Sequence, residues 1–283
     1  MRVQHAGVTG HRANFITDSR LLTEEVWYGF DRFKRMMAVS ISLGASVHKT
    51  GVLTMADHTA LIVGASRGLG LALAAEYLYR GFHVVATVRG KAPAALRQLE
   101  AGAGDKLTIA QADITEREDL SALHTQLRGR ALDVLFVNAG VASDADKTAA
   151  EIPTESFLQI MRTNVLGAMQ AVEMLYDLLA PEGTVAVMSS GLGSVSENTT
   201  GSWNSYAASK AALNMMMRGF ASRHADGRSM VLMAPGWVRT EMGGPAAALG
   251  IEESIPRVVD VVSAQRGKPG LQYLNYQGRT VGW

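Results

Sequence analysis

From Thr59 onward, short and almost wholly apolar runs alternate with longer stretches in which apolar residues recur every three to four positions. Uncharged, β-branched runs of five or six residues read as buried strands, and the longer periodic stretches as amphipathic helices. The pattern predicts strands over 59–63, 82–88, 107–110, 132–137, 184–188, 229–233 and 271–275. Helices are predicted from the glycine-rich turn at 64–70 to about Arg80, over 93–100 and 116–128, from Pro153 or Thr154 to about Leu179, from about Asn204, and over 252–264. Pro181-Glu182-Gly183 is expected to break the chain before the fifth strand. Strands alternating with helices of this length require right-handed crossovers and a sheet covered on both sides. The expected class is therefore α/β: a single doubly wound parallel sheet with helices on both faces.

Composition narrows the function classes. The 283 residues are 47% hydrophobic and 19% charged, with a net charge of +1, which suits one sizeable α/β domain with extra residues. Such a balance gives no general affinity for nucleic acid or anionic membranes. There is no cysteine, so disulfides, thiolate metal sites and cysteine nucleophiles are excluded. The seven histidines are scattered without ligand spacing, and no metal site is expected. No run reaches the roughly 18–20 apolar residues of a membrane span.

Residues 1–54 differ from the rest, with seven basic residues against four acidic ones, where the remainder has 20 against 22. They read as a non-catalytic N-terminal extension to a dinucleotide-binding catalytic domain at 55–283, disordered or no part of the native protein, with Met55 as an alternative start; the rival reading is a docking segment for a partner or for the cofactor rim. A short amphipathic helix is expected over 24–37. The apolar stretch 36–47 resembles the core of a signal peptide but lies too far from the N-terminus.

The candidate chemistry centres on Tyr206 and Lys210. Four residues apart on a helix, they share a face. A phenol titrates near 10, and a neighbouring ammonium favours the phenolate and lowers that value. A shift of about three units needs roughly 4 kcal/mol, within reach of a cation in a poorly solvated cleft. Gly64-Ala-Ser-Arg-Gly68-Leu-Gly70 lies between the first strand and a helix start. There Gly64 permits a tight turn, Gly68 lets backbone approach a pyrophosphate, and Gly70 lets helix and strand pack closely. The second strand ends Ala86-Thr87-Val88-Arg89, without the carboxylate that bonds the ribose hydroxyls of NAD. Arg89 and Arg67 instead offer positive charge where a 2′-phosphate would lie, and NADP(H) is expected ahead of NAD(H). The bland counterparts are two solvated arginines, a structural glycine turn, and a tyrosine and lysine that merely share an exposed face.

In order along the chain come the glycine turn, Asp113, Asn138-Ala139-Gly140, Asn164, Ser190, Tyr206-x-x-x-Lys210 and Pro235-Gly236-Trp-Val-Arg-Thr240. This series resembles the short-chain dehydrogenase/reductase family over essentially all of 57–283. SSGLGSVSENTTG, SKAALN, PGWVRTEMGG and the tail YLNYQGRTVGW resemble its C-factor and sniffer-type carbonyl reductase branch. The resemblance implies a Rossmann-type sheet, a cytoplasmic oxidoreductase, a small carbonyl or alcohol substrate and a homo-oligomer, dimer or tetramer. It implies that Tyr206 is the general acid, that Lys210 lowers its pKa and binds the nicotinamide ribose, and that Ser190 stabilises the substrate oxygen. Asn164 would hold a water linking Lys210 to solvent. Gly64, Ser66, Arg67, Gly68, Leu69 and Gly70 would cradle the cofactor phosphates. Asp113 and Ile114 would contact adenine, Asn138, Ala139 and Gly140 the adenosine side, and Pro235, Gly236, Val238 and Thr240 the carboxamide end.

Several choices stay open at this level. Ser189 competes with Ser190, and Asn164 has a purely structural reading as a backbone partner. Trp203 and Trp237 line the substrate pocket or merely pack, and the methionines at 215–217 pack against the sheet or a partner subunit. Asp144 and Asp146 read as a solvated loop. Val63 and Val137 replace polar residues that the family often uses to tie the turn. About eleven residues separate Thr240 from the next helix, short for a substrate lid, so an open cleft is expected. The competing functions are an NAD-dependent alcohol dehydrogenase and a dinucleotide-binding signalling protein.

Overall fold

The computed structural model describes residues 58–283; the proposed extension, its helix and Met55 lie outside the described residues. The chain starts in the middle of its sheet. From β1 (Thr59–Val63) it passes through α1 (Gly68–Tyr79) to β2 (His83–Val88), then through α2 (Ala94–Ala103) to β3 (Leu107–Gln111). It returns through α3 (Arg117–Leu127) to β4 (Leu132–Val137), which pairs with the other side of β1. Two helical segments, α4 (Thr154–Met161) and α5 (Ala168–Leu175), lead to β5 (Leu179–Met188). Then α6 (Asn204–Arg223), β6 (Ser229–Ala234), α7 (Ile251–Ser263) and β7 (Gly270–Asn275) complete a seven-stranded sheet of order 3-2-1-4-5-6-7. Every strand pair is parallel.

Successive strand side chains point to opposite faces, so each strand feeds two cores. Ala60, Ile62, Ala86, Phe136, Ala186 and Val231 pack with α1 and α7 on one face. Leu61, Val63, Val85, Leu135, Val187 and Leu232 pack with α3, α5 and α6 on the other. The chain turns outward on one side of β1 and then on the other. The crevice where such a sheet reverses, at the carboxyl ends of its strands, is where α/β proteins of this kind bind ligands. Here that crevice opens between β1 and β4.

Two expectations change in the fourth crossover. The single helix expected from 154 to about 179 is interrupted by a wider, π-helical turn at Arg162–Gly167 and ends in a 3-10 turn at Tyr176–Leu178. A side chain at Gly167 would come within 2.9 Å of the Ile114 carbonyl oxygen, so the wide turn can seat against the loop after β3 only with glycine there. The break at 181–183 appears as an irregularity within β5. Leu132 pairs with Leu179 and Val134 with Thr184, so the segment between is looped out and regular pairing begins at Thr184.

Candidate active site

The turn after β1 is fixed from three sides. Gly64, at φ +86°, donates its N–H to Thr87 Oγ1 of β2 at 3.0 Å and accepts from Asn138 Nδ2 at 2.9 Å. Asn138 and Ala139 both donate backbone N–H groups to the Val63 carbonyl. The tie expected from a polar residue at 63 is thus supplied by Thr87 from the neighbouring strand. A Cβ at Gly70 would lie 2.0 Å from the Gly64 carbonyl oxygen, so strand and helix meet at a distance that only glycine allows. Arg67 stands at the N-cap of α1 and supplies no side-chain cap, and the first turn carries no acidic residue. A helix start of this kind presents backbone donors and a positive dipole end to an anion. Ser66 and Leu69 are half-buried beside it.

The remaining cofactor candidates sit on the same rim. Arg89 is exposed at the end of β2, and Arg67 is exposed and ion-paired with Glu241 from the loop after β6. Asp113 folds back on its own turn, accepting from the Thr115 N–H at 2.9 Å and from the Thr115 hydroxyl at 2.8 Å. Ile114 is buried beneath the π-helical turn. After β6, Pro235 accepts a hydrogen bond from Ser254 Oγ at 2.7 Å, and Gly236 takes φ +86° under Leu249. Val238 bridges to Leu249, and Thr240 Oγ1 accepts from the Gly243 N–H at 3.0 Å. The short segment from 237 to 249 is therefore a closed, hydrogen-bonded flap.

At the end of β5 the two serines part ways. Ser189 is buried and donates to Asn214 Oδ1 at 2.6 Å. Ser190 is half-buried, its hydroxyl oxygen accepts from the Leu192 N–H at 3.2 Å, and its side chain acts on the Tyr206 phenol so as to favour the phenolate, so it is Ser190 that faces the phenol. Trp203 precedes α6 in a left-handed conformation, φ +60°, held by its N–H to the Ala145 carbonyl at 2.9 Å. Its ring meets the Tyr206 ring edge-on at 5.8 Å. Trp237 is exposed on the flap and donates Nε1–H to the Gly243 carbonyl at 2.8 Å. Met217 is buried against the sheet, whereas Met215 and Met216 are exposed.

One turn beyond Tyr206, Lys210 is only 3% exposed. Its Nζ lies 5.6 Å from the Tyr206 ring centroid and donates to the Met188 carbonyl at 2.8 Å. Burial pushes the Lys210 ammonium down to about 8. Burial also pushes the Tyr206 phenol up to about 12, against the lowering effect of its hydrogen bond to Ser190. The expected lowering by Lys210 is thus overridden in the chain by itself, because both groups are taken out of water and the ammonium is directed at a carbonyl.

Asn164, fully buried in the π-helical turn, uses both ends of its carboxamide on Val141, accepting its N–H and donating to its carbonyl, each at 2.8 Å. It also donates to Ser209 Oγ at 3.0 Å, tying the loop after β4 to the helix of Tyr206 and Lys210. The backbone partnership open to Asn164 in the sequence is therefore present. A Cβ at Gly140 would stand 3.3 Å from Asn164 Oδ1 and 3.6 Å from Lys210 Nζ, so the backbone after β4 runs close to both side chains. Sequence reasoning passed over Thr87, Asn214, Tyr273 and Glu241. Asn214 carried a signal, because it lies four residues past Lys210 on the same buried face of α6.

The reversal point, its glycine turn and the serine, tyrosine and lysine beside it place the chain among dinucleotide-dependent oxidoreductases of α/β type. The family model for short chain dehydrogenase matches residues 58–248, and the chain belongs to the short-chain dehydrogenase/reductase family. A Burkholderia multivorans protein solved with bound NADP is 51% identical, with TM-score 0.78, covering 80% of this chain and all of that one. The carbonyl reductase Sniffer of D. melanogaster is 28% identical, with TM-score 0.73 over 80% of this chain and all of its own. C-signal of Myxococcus xanthus is 31% identical over 167 residues, 58% of this chain and the whole of that protein. Among the described residues no helix is long and apolar enough to cross a membrane, and no three His, Asp or Glu side chains cluster as metal ligands.

Proposed function

We propose that the protein is a cytoplasmic, NADP(H)-dependent carbonyl reductase. The observation that carries this reading is the convergence of Ser190, Tyr206 and Lys210 beside a glycine turn at the sheet's reversal point. The donor set suits a dinucleotide: the turn has glycine where a Cβ would collide, α1 begins without acid, and Arg67 and Arg89 stand exposed on the rim. When bound, the nicotinamide supplies the hydride. Tyr206, protonated well beyond neutrality, then gives its proton to the carbonyl oxygen as that atom gains charge. Ser190 donates a hydrogen bond to the same oxygen and afterwards to the phenolate. The Lys210 ammonium stabilises the phenolate that forms, and Asn164 holds the loop that shapes this floor. A relay from Lys210 through the free lone pair of Asn164 Oδ1 and a water completes proton return.

Similarity to C-signal over that protein's full length favours a second reading, a signal carried by dinucleotide binding. Replacing Tyr206→Phe separates the two. Turnover of a reactive dicarbonyl should fall by about 10³-fold or more, on the scale of a lost general acid and its hydrogen bond, while NADPH still quenches protein fluorescence. Turnover within tenfold of the parent chain overturns the enzyme reading.

A further inference from the structure

Behind Ser190 lies a group of buried polar side chains that the proposed chemistry leaves unused. Ser189 at the end of β5, Asn214 on α6 and Tyr273 on β7 are exposed by 1%, 4% and 1%. The Tyr273 hydroxyl donates to the backbone carbonyl of Ser190. Asn214 accepts from Ser189 Oγ and donates to the Gly193 carbonyl at 3.2 Å, so it holds the loop on both sides of Ser190. The ring of Trp283 packs against Tyr273 at 5.6 Å, and its carbonyl accepts from the Ser196 N–H at 3.0 Å.

An apolar filling at these positions would be the simpler route to a packed core, because buried polar groups cost free energy unless every one is paired. A fully paired network instead gives rigidity and a single geometry. Its two anchor points are the Ser190 carbonyl and the Gly193 carbonyl, one on the residue that faces the Tyr206 phenol and one on the loop just after it. We propose that Tyr273 is a positioning residue for the reaction: with Asn214 and Ser189 it fixes the Ser190 backbone, so that the Ser190 hydroxyl stays on Tyr206 and the substrate oxygen. The inference rests on the carbonyl reductase reading of the site.

The test is Tyr273→Phe in the full chain, alone and combined with Ser190→Ala. Alone, it should lower kcat about 10- to 100-fold, the scale of a reacting group displaced by a fraction of an ångström. The NADPH dissociation constant should stay within about twofold, because the glycine turn is remote from β7. In the alcohol-oxidising direction the rising limb of the pH profile should move upward, because the hydrogen bond from Ser190 is what lowers the Tyr206 phenol. In the Ser190→Ala background the same substitution should change kcat less than about twofold, since there is no longer a hydroxyl to align. A loss that multiplies with Ser190→Ala, or an unchanged kcat and pH profile, overturns the proposal. If Tyr273→Phe does not fold, Ser189→Ala carries the same cycle with the same criteria. Turnover surviving Tyr206→Phe defeats the reductase reading itself, whereas an inactive Tyr206→Phe beside a fully active Tyr273→Phe defeats only the brace.

Discussion

An ammonium held 3% exposed against a single carbonyl is a burden on the folded state. Lys210 titrates near 8 when folded, against an ordinary value of 10.5. Between those pH values the unfolded chain binds more protons, so stability rises as pH climbs through the window. Below it, burying the charge costs roughly 3 kcal/mol, at 1.36 kcal/mol per unit. Replacing Lys210→Met removes that cost and loses one hydrogen bond of about 1 kcal/mol. Urea unfolding at pH 7 should show the variant about 1–2 kcal/mol more stable and catalytically dead, with the advantage gone by about pH 10. A destabilised variant would mean that the lysine is held for structure. That Tyr206, Lys210 and Ser190 would lie near one another was legible because their spacing is tied to a helix and a strand end. Their titration was not legible, because desolvation depends on everything packed around them. Nor could spacing decide between Ser189 and Ser190; alternation along a strand end settles which one faces inward, and that needs the register.

Among the elements, the glycine turn and the flap after β6 are joined by the ion pair of Arg67 with Glu241. Both side chains are largely exposed, a setting in which such a pair is worth about 0.2–1 kcal/mol. If Arg67 serves a 2′-phosphate, Glu241 competes with it for the same guanidinium. Glu241→Gln should then tighten NADPH binding by about twofold to fivefold at low salt and leave NADH unchanged. Equal tightening for both, measured by fluorescence titration, would take Arg67 away from the phosphate. Most element boundaries were readable to within a residue or two, because strand runs and helix periods differ sharply. The π-helical turn at 162–167 was not. One added residue barely disturbs the apolar period of MRTNVLGAM, while it changes which side chain meets the loop after β4.

For the whole molecule, the alternation of strands with helices predicted a parallel sheet covered on both faces, while the strand order, which puts the reversal beside β1, is seen only in the structure. The subunit count does not follow from that pattern. The outer faces of α4, the π-helical turn and α6 expose Leu158, Leu166 and Met216 around one shallow concavity, which we propose is a face shared between copies. Leu166→Glu should shift the mass measured by light scattering from a dimer or tetramer to a monomer; an unchanged mass would refute that face. The position of β7 has a further consequence, for how activity arises during synthesis. The phosphate-binding half of the crevice is assembled from β1, β2 and β4, which leave the ribosome early. Tyr273, which reaches back to the Ser190 carbonyl, is translated after all of them. The geometry at Ser190 therefore waits on the edge strand of the sheet, although the glycine turn belongs to strands made long before it.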